Sequence, residues 1–267
     1  MKIVGIYFSG TGNTKWVAKQ FQEKLTAKKH HAKMISIEDY TVSEVVKLFE
    51  EADLIGFFYP IYGSDMPEIF EKYIEELSKF KMSKRKHSFC ITSVAIYSGD
   101  GALMVKKYCD KMNLELAWGY NVHMACNFDT PIPGFQIPSE DKIRKIKVKA
   151  DAKLNRIVEN IEQGIKKLEG SDILNTIVGS FQRKSNKGMM HKYDIKINKD
   201  ACIKCGKCVR LCPTKNLALP GNGDAVETHG NCTVCLRCIN NCPTYAIRIM
   251  NPRKDKPYRQ YKGPNKY

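Results

Sequence analysis

Over the first half of the chain, short apolar runs alternate with segments whose apolar positions recur at helical spacing. The runs are rich in β-branched and aromatic residues and predict five strands, at 2–8, 32–37, 53–60, 87–95 and 114–124. Apolar residues three or four positions apart predict the intervening helices, at 14–30, 41–52, 66–80 and 101–112. Strict alternation of strand and helix predicts an α/β fold with a doubly wound parallel sheet of five strands, covered by helices on both faces.

The pattern changes beyond Ser139. Residues 139–170 predict one long helix that Ser139 caps and whose first turn carries two acids. We therefore divide the chain into four parts. These are a first domain at 1–170, a connector at 171–192, a cysteine-rich module at 193–250 and a basic tail at 251–267, which we expect to be poorly packed.

Composition indicates a globular protein. Hydrophobic residues make up 43% of the 267 positions, and no apolar run approaches the ~18–20 residues of a membrane span. The first apolar stretch is too short for a signal peptide, so we expect a core strand there and a cytoplasmic location.

The charge balance is strongly basic. Lys and Arg number 44 against 28 Asp and Glu, a formal net charge of +16. A basic surface favours acidic partners. We expect no nucleic-acid binding, because no motif typical of nucleic-acid readers is recognisable.

Eleven cysteines are unusual for a cytoplasmic chain unless they bind metal. Eight lie in two runs of the form C-x2-C-x2-C-x3-C-P, CIKCGKCVRLCP at 202–213 and CTVCLRCINNCP at 232–243. Three closely spaced thiolates suit three corners of a cubane cluster, and the fourth cysteine of such a run ligates the other cluster. Structural zinc needs only four ligands, usually as two Cys-x2-4-Cys hooks, and disulfides do not persist in the cytoplasm. The doubled pattern favours [4Fe–4S] clusters.

The module resembles the bacterial two-cluster ferredoxins, an α+β fold, at every position of both motifs. The resemblance implies two [4Fe–4S] clusters with reciprocal ligation. One cluster would be held by Cys202, Cys205, Cys208 and Cys242. The other would be held by Cys232, Cys235, Cys238 and Cys212.

A glycine-rich segment, SGTGNTKW at 9–16, joins the first strand to the first helix. An anion binds at such a position, where free N–H groups and the positive helix end face it. The G-x4-G-K-[ST] pattern of a P-loop is absent. Gly10 and Gly12 fit a dinucleotide fingerprint, and Glu38 could bind a ribose, but Lys15 occupies the place of the third glycine.

A phosphate monoester is the third possibility for this loop. Its three oxygens require hydroxyls interleaved with backbone N–H groups. Ser9, Thr11 and Thr14, together with Asn13, supply polar side chains at that spacing.

The spacing S-x-T-G-N-T resembles the FMN phosphate loop of the flavodoxin family, over about residues 1–130. The resemblance implies FMN and the strand order 2-1-3-4-5. Two later loops leave the carboxyl ends of neighbouring strands and combine aromatic residues with glycines that let the backbone approach the flavin. The implied FMN-binding positions are Ser9, Thr11, Gly12, Asn13, Thr14, Tyr59, Pro60, Ile61, Tyr62, Gly63, Tyr97, Ser98, Gly99, Asp100 and Gly101.

Tyr62 and Tyr97 are the candidates for stacking on the flavin, and the segment 126–135 could fold over its edge through Asn127 and Phe128. Cys90, within an apolar run, is interpreted as a small buried hydrophobe.

A flavodoxin-like half followed by a two-cluster half resembles the fused flavodoxin–ferredoxin proteins of anaerobes. Clusters carry single electrons and flavin accepts one or two, so the chain is expected to transfer electrons between them for an acidic redox partner. The alternative is a flavin-dependent reductase of a small molecule, with His123 and Asp129 as candidate proton donors. The sequence leaves the catalytic residues and the oligomeric state unknown.

Overall fold

The computed structural model describes residues 1–129, 135–190, 195–221, 224–249 and 259–266, without the side chains of 186–190. The first half is built on a parallel sheet of six strands in the order β2-β1-β3-β4-β5-β6. The strands are β1 Lys2–Tyr7, β2 His31–Ser36, β3 Leu54–Pro60, β4 Lys86–Val94, β5 Leu114–His123 and β6 Lys167–Leu168.

The first five strands confirm the predicted topology. All neighbouring strands pair in parallel, and β1 lies between β2 and β3. The strand order therefore reverses at β1: β2 follows on one side of it, and β3 lies on the other. A crevice opens between the carboxyl ends of β1 and β3, where the connections leave in opposite directions.

Helices cover both faces of the sheet. They are α1 Asn13–Ala27, α2 Val42–Glu51, α3 Glu68–Leu77, α4 Lys106–Lys111 and α5 Glu140–Glu162. Each face of the sheet has its own apolar core, which is why β3 shows buried residues at six of its seven positions. Among the described residues no helix is both long and apolar enough to cross a bilayer.

The predicted helix over 139–170 is too long. Ser139 does cap α5, since its Oγ accepts a hydrogen bond from the Lys142 amide at 3.4 Å. The helix ends at Glu162, Gly164 follows with a φ of +69°, and the chain then forms β6 against β5. This sixth strand has only two residues, too few for an apolar pattern to reveal it.

The segment 171–192, which the sequence marks as a connector, contains helix α6, Ile173–Met190. Asp172 starts this helix by accepting hydrogen bonds from the Asn175 amide and side chain, at 3.0 and 2.6 Å.

The cysteine-rich module consists of two similar halves. Its elements are β7 Lys196–Ile197, α7 Lys207–Leu211, β8 Leu217–Ala218, β9 Glu227–Thr228, α8 Arg237–Asn241 and β10 Ile247–Arg248. β7 pairs with β10 and β8 pairs with β9, both antiparallel. The two short helices are offset by thirty residues, the same offset as the two cysteine runs.

The tail was expected to be poorly packed, and this is wrong for 259–266. Tyr261 is only 2% exposed and packs against Ala125, Ile137, Ile143 and Ile146. Residues 251–258 lie outside the described part of the chain.

Candidate functional site

The loop after β1 presents an open helix end. Gly12, with a φ of +103°, precedes α1 without a capping side chain, and the first helical hydrogen bond runs from Trp16 N to Gly12 O. The amides of the first helical turn therefore remain available to a bound anion, and no acidic residue in that turn opposes one.

A small cavity of about 50 Å³ lies at this helix end. Its walls include Ser9, Thr11, Asn13 and Thr14 from the loop and Pro60, Ile61 and Tyr62 from the end of β3. The hydroxyls are held in place, since Thr14 bonds Ser93 at 2.8 Å and Thr11 accepts from Asn127 at 2.8 Å. This arrangement fits a phosphate group.

Asn13 holds the loop to its surroundings. Its Nδ2 donates to the carbonyl of Ala125 at 2.8 Å, and its Oδ1 accepts from the hydroxyl of Tyr261 at 2.6 Å. Both ends of its amide are thus engaged by protein. Gly12 faces the tail instead of the cavity, because a Cβ there would lie 3.2 Å from Pro264.

A second cavity, of about 470 Å³, adjoins the first. The two share wall residues, namely Ile61, Tyr62, Val94, Ala95 and Asn127. The larger cavity is mainly apolar and has five aromatic residues in its walls, Tyr62, Tyr97, Phe128, Phe135 and Phe181. A phosphate in the small cavity and an aromatic ring system in the large one together match the shape of FMN.

Some of the FMN-binding residues that the sequence suggests line the large cavity, and others do not. Gly63 and Tyr97 line the large cavity beside Ile61 and Tyr62. Tyr59 is fully buried in the core, and its hydroxyl donates to the Gly101 carbonyl at 2.7 Å.

The loop after β4 turns away from the cavity beyond Tyr97. Neither cavity has Ser98, Gly99, Asp100 or Gly101 among its described lining residues. Ser98 donates to Asn121 at 2.7 Å, and Asp100 forms a two-pronged ion pair with Arg183 of α6. This part of the loop anchors α6.

Helix α6 forms one wall of the large cavity through Phe181, Gln182 and Ser185. The sequence interpretation missed this wall, although apolar residues at 173, 177 and 181 have helical spacing.

The cysteines gather in two separate places. One cavity is lined by Cys202, Cys205, Cys208 and Cys242. The other is lined by Cys212, Cys232, Cys235 and Cys238. These are the two sets that the ferredoxin resemblance implies, with one cysteine of each run reaching the group of the other run.

Backbone conformation repeats with the same offset. Three pairs of residues thirty positions apart have φ between +50° and +70°, namely Lys204 and Val234, Gly206 and Leu236, and Lys215 and Tyr245. Left-handed conformations are costly for β-branched residues such as Val234, so the surrounding structure must impose them. The two halves therefore wrap their cysteines in the same way.

Further features fit a bound group in these cavities. Backbone amides point at sulfur, from Asn216 N to Cys212 Sγ at 3.2 Å and from Ala246 N to Cys242 Sγ at 3.3 Å. Such bonds stabilise thiolates.

The buried hydroxyl of Thr233 lines the cavity of the second set and has no partner among the described protein atoms. No close group of three or more His, Cys, Asp or Glu side chains suited to a single metal ion occurs within the described residues.

Burial raises the pKa of several of these thiols. The pKa of Cys235 rises to about 11, and the pKa values of Cys208 and Cys238 are also raised, chiefly by burial. Metal binding at these cysteines therefore displaces protons.

The second set of cysteines touches the loop after β1. A Cβ on Gly10 would lie 2.2 Å from the carbonyl oxygen of Cys235, so only glycine allows this approach. Val234 and Leu236, on either side of Cys235, line the large cavity. The cavity that fits a flavin and the second group of cysteines are therefore direct neighbours.

Arg237 joins the two halves of the molecule. Its guanidinium donates to the carbonyls of Ser9 and Gly10, at 2.9 and 3.2 Å, and forms a two-pronged ion pair with Glu38 at 2.7 and 2.8 Å. A third contact goes to the Leu211 carbonyl at 3.2 Å. Glu38, considered as a ribose ligand, is instead the partner of this arginine.

Asn240 and Tyr261 add a second connection. Asn240 Nδ2 donates to the Asn127 carbonyl at 2.9 Å, and its Oδ1 accepts from the Tyr261 amide at 2.6 Å. Since Tyr261 also bonds Asn13, the tail, the α8 helix and the loop after β1 form one hydrogen-bonded unit. Nothing in the sequence pattern indicated Arg237, Asn240 or Tyr261.

The remaining candidates lie elsewhere. Cys90 is fully buried in the core, as expected, and burial raises its pKa. Neither His123 nor Asp129 belongs to the described lining of the large cavity, although Asn127 and Phe128 do. Residues 130–134 of the segment expected to cover the flavin lie outside the described part of the chain.

Comparison with protein families matches two models to separate parts of the chain. A flavodoxin family model matches residues 6–113, and a 4Fe–4S dicluster domain model matches residues 194–243. The chain is thus a fusion of a flavodoxin domain with a 4Fe–4S dicluster domain.

Solved structures similar to this chain include flavodoxins and an oxidoreductase. The rubredoxin oxygen:oxidoreductase of the anaerobe Desulfovibrio gigas matches at 13% identity and a TM-score of 0.42, over 59% of this chain and 37% of that one. The flavodoxin of Megasphaera elsdenii matches at 21% identity and a TM-score of 0.38, over 57% of this chain and 98% of that one. A flavodoxin from the domain Archaea matches at 17% identity and a TM-score of 0.39, over 60% and 99%. A search among curated proteins gave no match.

The flavodoxin domain implies FMN, and the dicluster domain implies iron–sulfur clusters. Together they define a flavin and iron–sulfur redox protein.

Proposed function

We propose that this protein transfers electrons between two [4Fe–4S] clusters and FMN within one chain. One cluster is assigned to Cys202, Cys205, Cys208 and Cys242, and the other to Cys212, Cys232, Cys235 and Cys238. The support for two clusters is the pair of separate cavities, each lined by four cysteines from both runs.

FMN is assigned to the paired cavities of the flavodoxin domain. Its phosphate is placed at the amino end of α1, against Ser9, Thr11 and Thr14. Its ring system is placed in the aromatic cavity, with Tyr62 and Tyr97 as the candidates for stacking. The five aromatic wall residues offer the ring system apolar surfaces to pack against.

The observation that carries the proposal is the contact between Gly10 and Cys235. It joins the proposed FMN phosphate loop to a proposed cluster ligand without an intervening side chain. When bound, the clusters supply single electrons and the flavin accepts one or two. The contribution of the protein is positional, since Arg237 and Asn240 fix the two cofactor sites against each other.

The proposed partner is a separate redox protein of acidic character, and the proposed location is the cytoplasm. The net charge of +16 supports the first assignment. The eight thiols, which require a reducing compartment, support the second.

Cofactor analysis of anaerobically purified protein tests the proposal. We expect about eight iron atoms with matching sulfide and one FMN per chain. Zinc in place of iron, or iron without flavin, would contradict it.

A second candidate function is reduction of a small molecule. Two features favour this alternative. The large cavity, of about 470 Å³, leaves room for a small molecule beside a flavin ring. Tyr97 in its wall is partly exposed, so the cavity is open to solvent on that side. Steady-state turnover of small quinones or nitroaromatics by the cluster-reduced protein would distinguish the two. We expect slow, unsaturable reduction from an electron carrier and saturable turnover from a reductase.

A further inference from the structure

The two halves of the dicluster domain differ in what they present to solvent. The second half faces the flavodoxin domain, and its Cys235 is 7% exposed. The first half faces outward, and its corresponding ligand, Cys205, is exposed. The cluster assigned to Cys205 is therefore the one accessible to another protein.

The residues around the two sets of cysteines have diverged in charge. At positions thirty residues apart, Lys204 corresponds to Val234 and Arg210 corresponds to Asn240. The neutral members, Val234 and Asn240, contact the flavodoxin side. The cationic members are exposed.

Lys207 and Arg237 also occupy corresponding positions, and both are cationic. Arg237 is turned inward and paired with Glu38. Lys207 is exposed, and Lys204, Lys207 and Arg210 have no carboxylate partner among the described residues. Lys262 lies near Lys207, since the neighbouring charges of Lys207 and Lys266, after partial burial, lower the pKa of Lys262.

Ile203 completes this surface. It lies between two ligand cysteines and is 61% exposed, whereas its counterpart Thr233 is buried. An exposed apolar residue beside cations that lack a carboxylate partner has the composition of a contact surface with an apolar centre and a charged rim.

We propose that Ile203, Lys204, Lys207 and Arg210 form the docking surface for an acidic one-electron carrier protein, which exchanges electrons with the cluster of Cys205. The inference rests on the proposed function. In each transfer the reduced carrier loses one electron and this cluster gains one, with no bond made or broken. The cluster of Cys235 then lies between the docking surface and the flavin.

The test uses the full, cofactor-loaded chain and a small acidic two-cluster ferredoxin, reduced beforehand, as the probe. Binding of the oxidised probe is measured by titration calorimetry, and flavin reduction is followed by stopped-flow absorbance at low and high salt. The test variant is Lys204→Gln/Lys207→Gln/Arg210→Gln. The control is Lys81→Gln/Lys84→Gln/Lys111→Gln, which removes the same charge from exposed lysines near the amino ends of β4 and β5, at the end of the sheet away from the loop after β1.

We expect the test variant to bind the probe about tenfold more weakly and to be reduced about tenfold more slowly at low salt, with most of the salt dependence lost. The control should resemble the unmodified protein, and excess dithionite should reduce all three proteins to the same final extent. A separate Ile203→Ser variant should weaken binding without changing the salt dependence.

Equal effects of the two triple variants, or no effect of either, would overturn the docking surface while leaving the proposed function intact. The docking surface would also be overturned if the test variant kept its electron-transfer rate and instead lost affinity for duplex DNA, because these residues would then form a nucleic-acid contact. Failure of dithionite-reduced clusters to reduce the flavin in the unmodified protein would instead overturn the proposed function.

Discussion

At the scale of single residues, the molecule depends on a few contacts between its two halves. Gly10 lets the Cys235 carbonyl approach the loop after β1, and Arg237 binds two carbonyls of that loop. The cysteines and the loop were recognisable from their spacing, because ligands and phosphate loops follow local geometric rules. The contacts between the two domains could not be recognised from the sequence, because they depend on how segments far apart in the chain pack together.

Gly10→Ala tests the contact with Cys235. The added methyl would overlap the Cys235 carbonyl, so the two halves must separate. We expect FMN affinity to fall by at least about tenfold and flavin reduction by the clusters to slow, as measured by fluorescence titration and stopped-flow absorbance. Gly221→Ala is the control, since a Cβ there meets nothing within 4 Å. Equal FMN affinity in both variants would argue against the contact.

Arg237→Gln tests the connecting ion pair. The side chains of Arg237 and Glu38 are 18% and 28% exposed, so loss of the arginine leaves a partly buried carboxylate and three carbonyls without their donor. We expect a loss of about 2 kcal/mol in the free energy of unfolding, below the value for a fully buried pair because solvent screens the charge. Lys207→Gln, at the corresponding position of the first half, should change stability little in the same denaturant titration.

Cys109 provides a pH-dependent test. Burial raises the pKa of its thiol from 9.0 to about 12, so the unfolded chain loses this proton at lower pH than the folded one. The stabilising contribution is complete below about pH 9 and decreases as pH rises towards about 12, by up to about 1.4 kcal/mol per pH unit. Cys109→Ala should show a shallower fall in melting temperature between about pH 9 and pH 11. Parallel curves for the two proteins would show that this thiol loses its proton at the same pH in the folded and the unfolded states, which would contradict the raised pKa.

At the scale of elements, the five main strands and the helices between them follow from apolar periodicity. Apolar periodicity did not predict β6, which has only two residues, too few to show a repeat. It also did not predict α6, whose apolar residues Ile173, Ile177 and Phe181 are largely exposed. Helix α6 is held by polar contacts with the loop after β4, of which the ion pair between Arg183 and Asp100 is the most buried. Such a helix is invisible to an argument based on buried apolar faces.

Arg183→Gln tests how α6 is held. Asp100 is 6% exposed in its side chain, so it would remain as a buried charge without a counter-ion, at a cost of about 3 kcal/mol. We expect faster hydrogen exchange in α6 and easier quenching of flavin fluorescence by iodide. Lys184→Gln, an exposed neighbour on the same helix, should behave like the unmodified protein. Unchanged exchange in both variants would mean that other contacts fix the helix.

At the scale of the whole molecule, the arrangement places three potential redox sites in order. The cysteine set that contains the exposed Cys205 comes first, the set that contains the buried Cys235 lies next to the loop after β1, and the aromatic cavity follows. The tail connects the two domains, because Tyr261 is hydrogen-bonded both to Asn13 of the flavodoxin domain and to Asn240 of the dicluster domain. The sequence showed that the two domains exist, but only the structure shows that they touch beside the proposed cofactor sites.

The central claim is that electrons pass between the clusters and the flavin inside one chain. The most direct measurement is the rate of flavin reduction after rapid reduction of the clusters, at several protein concentrations under anaerobic conditions. We predict a first-order rate constant that does not change with protein concentration. A rate that rises in proportion to protein concentration would show transfer between molecules and contradict the account.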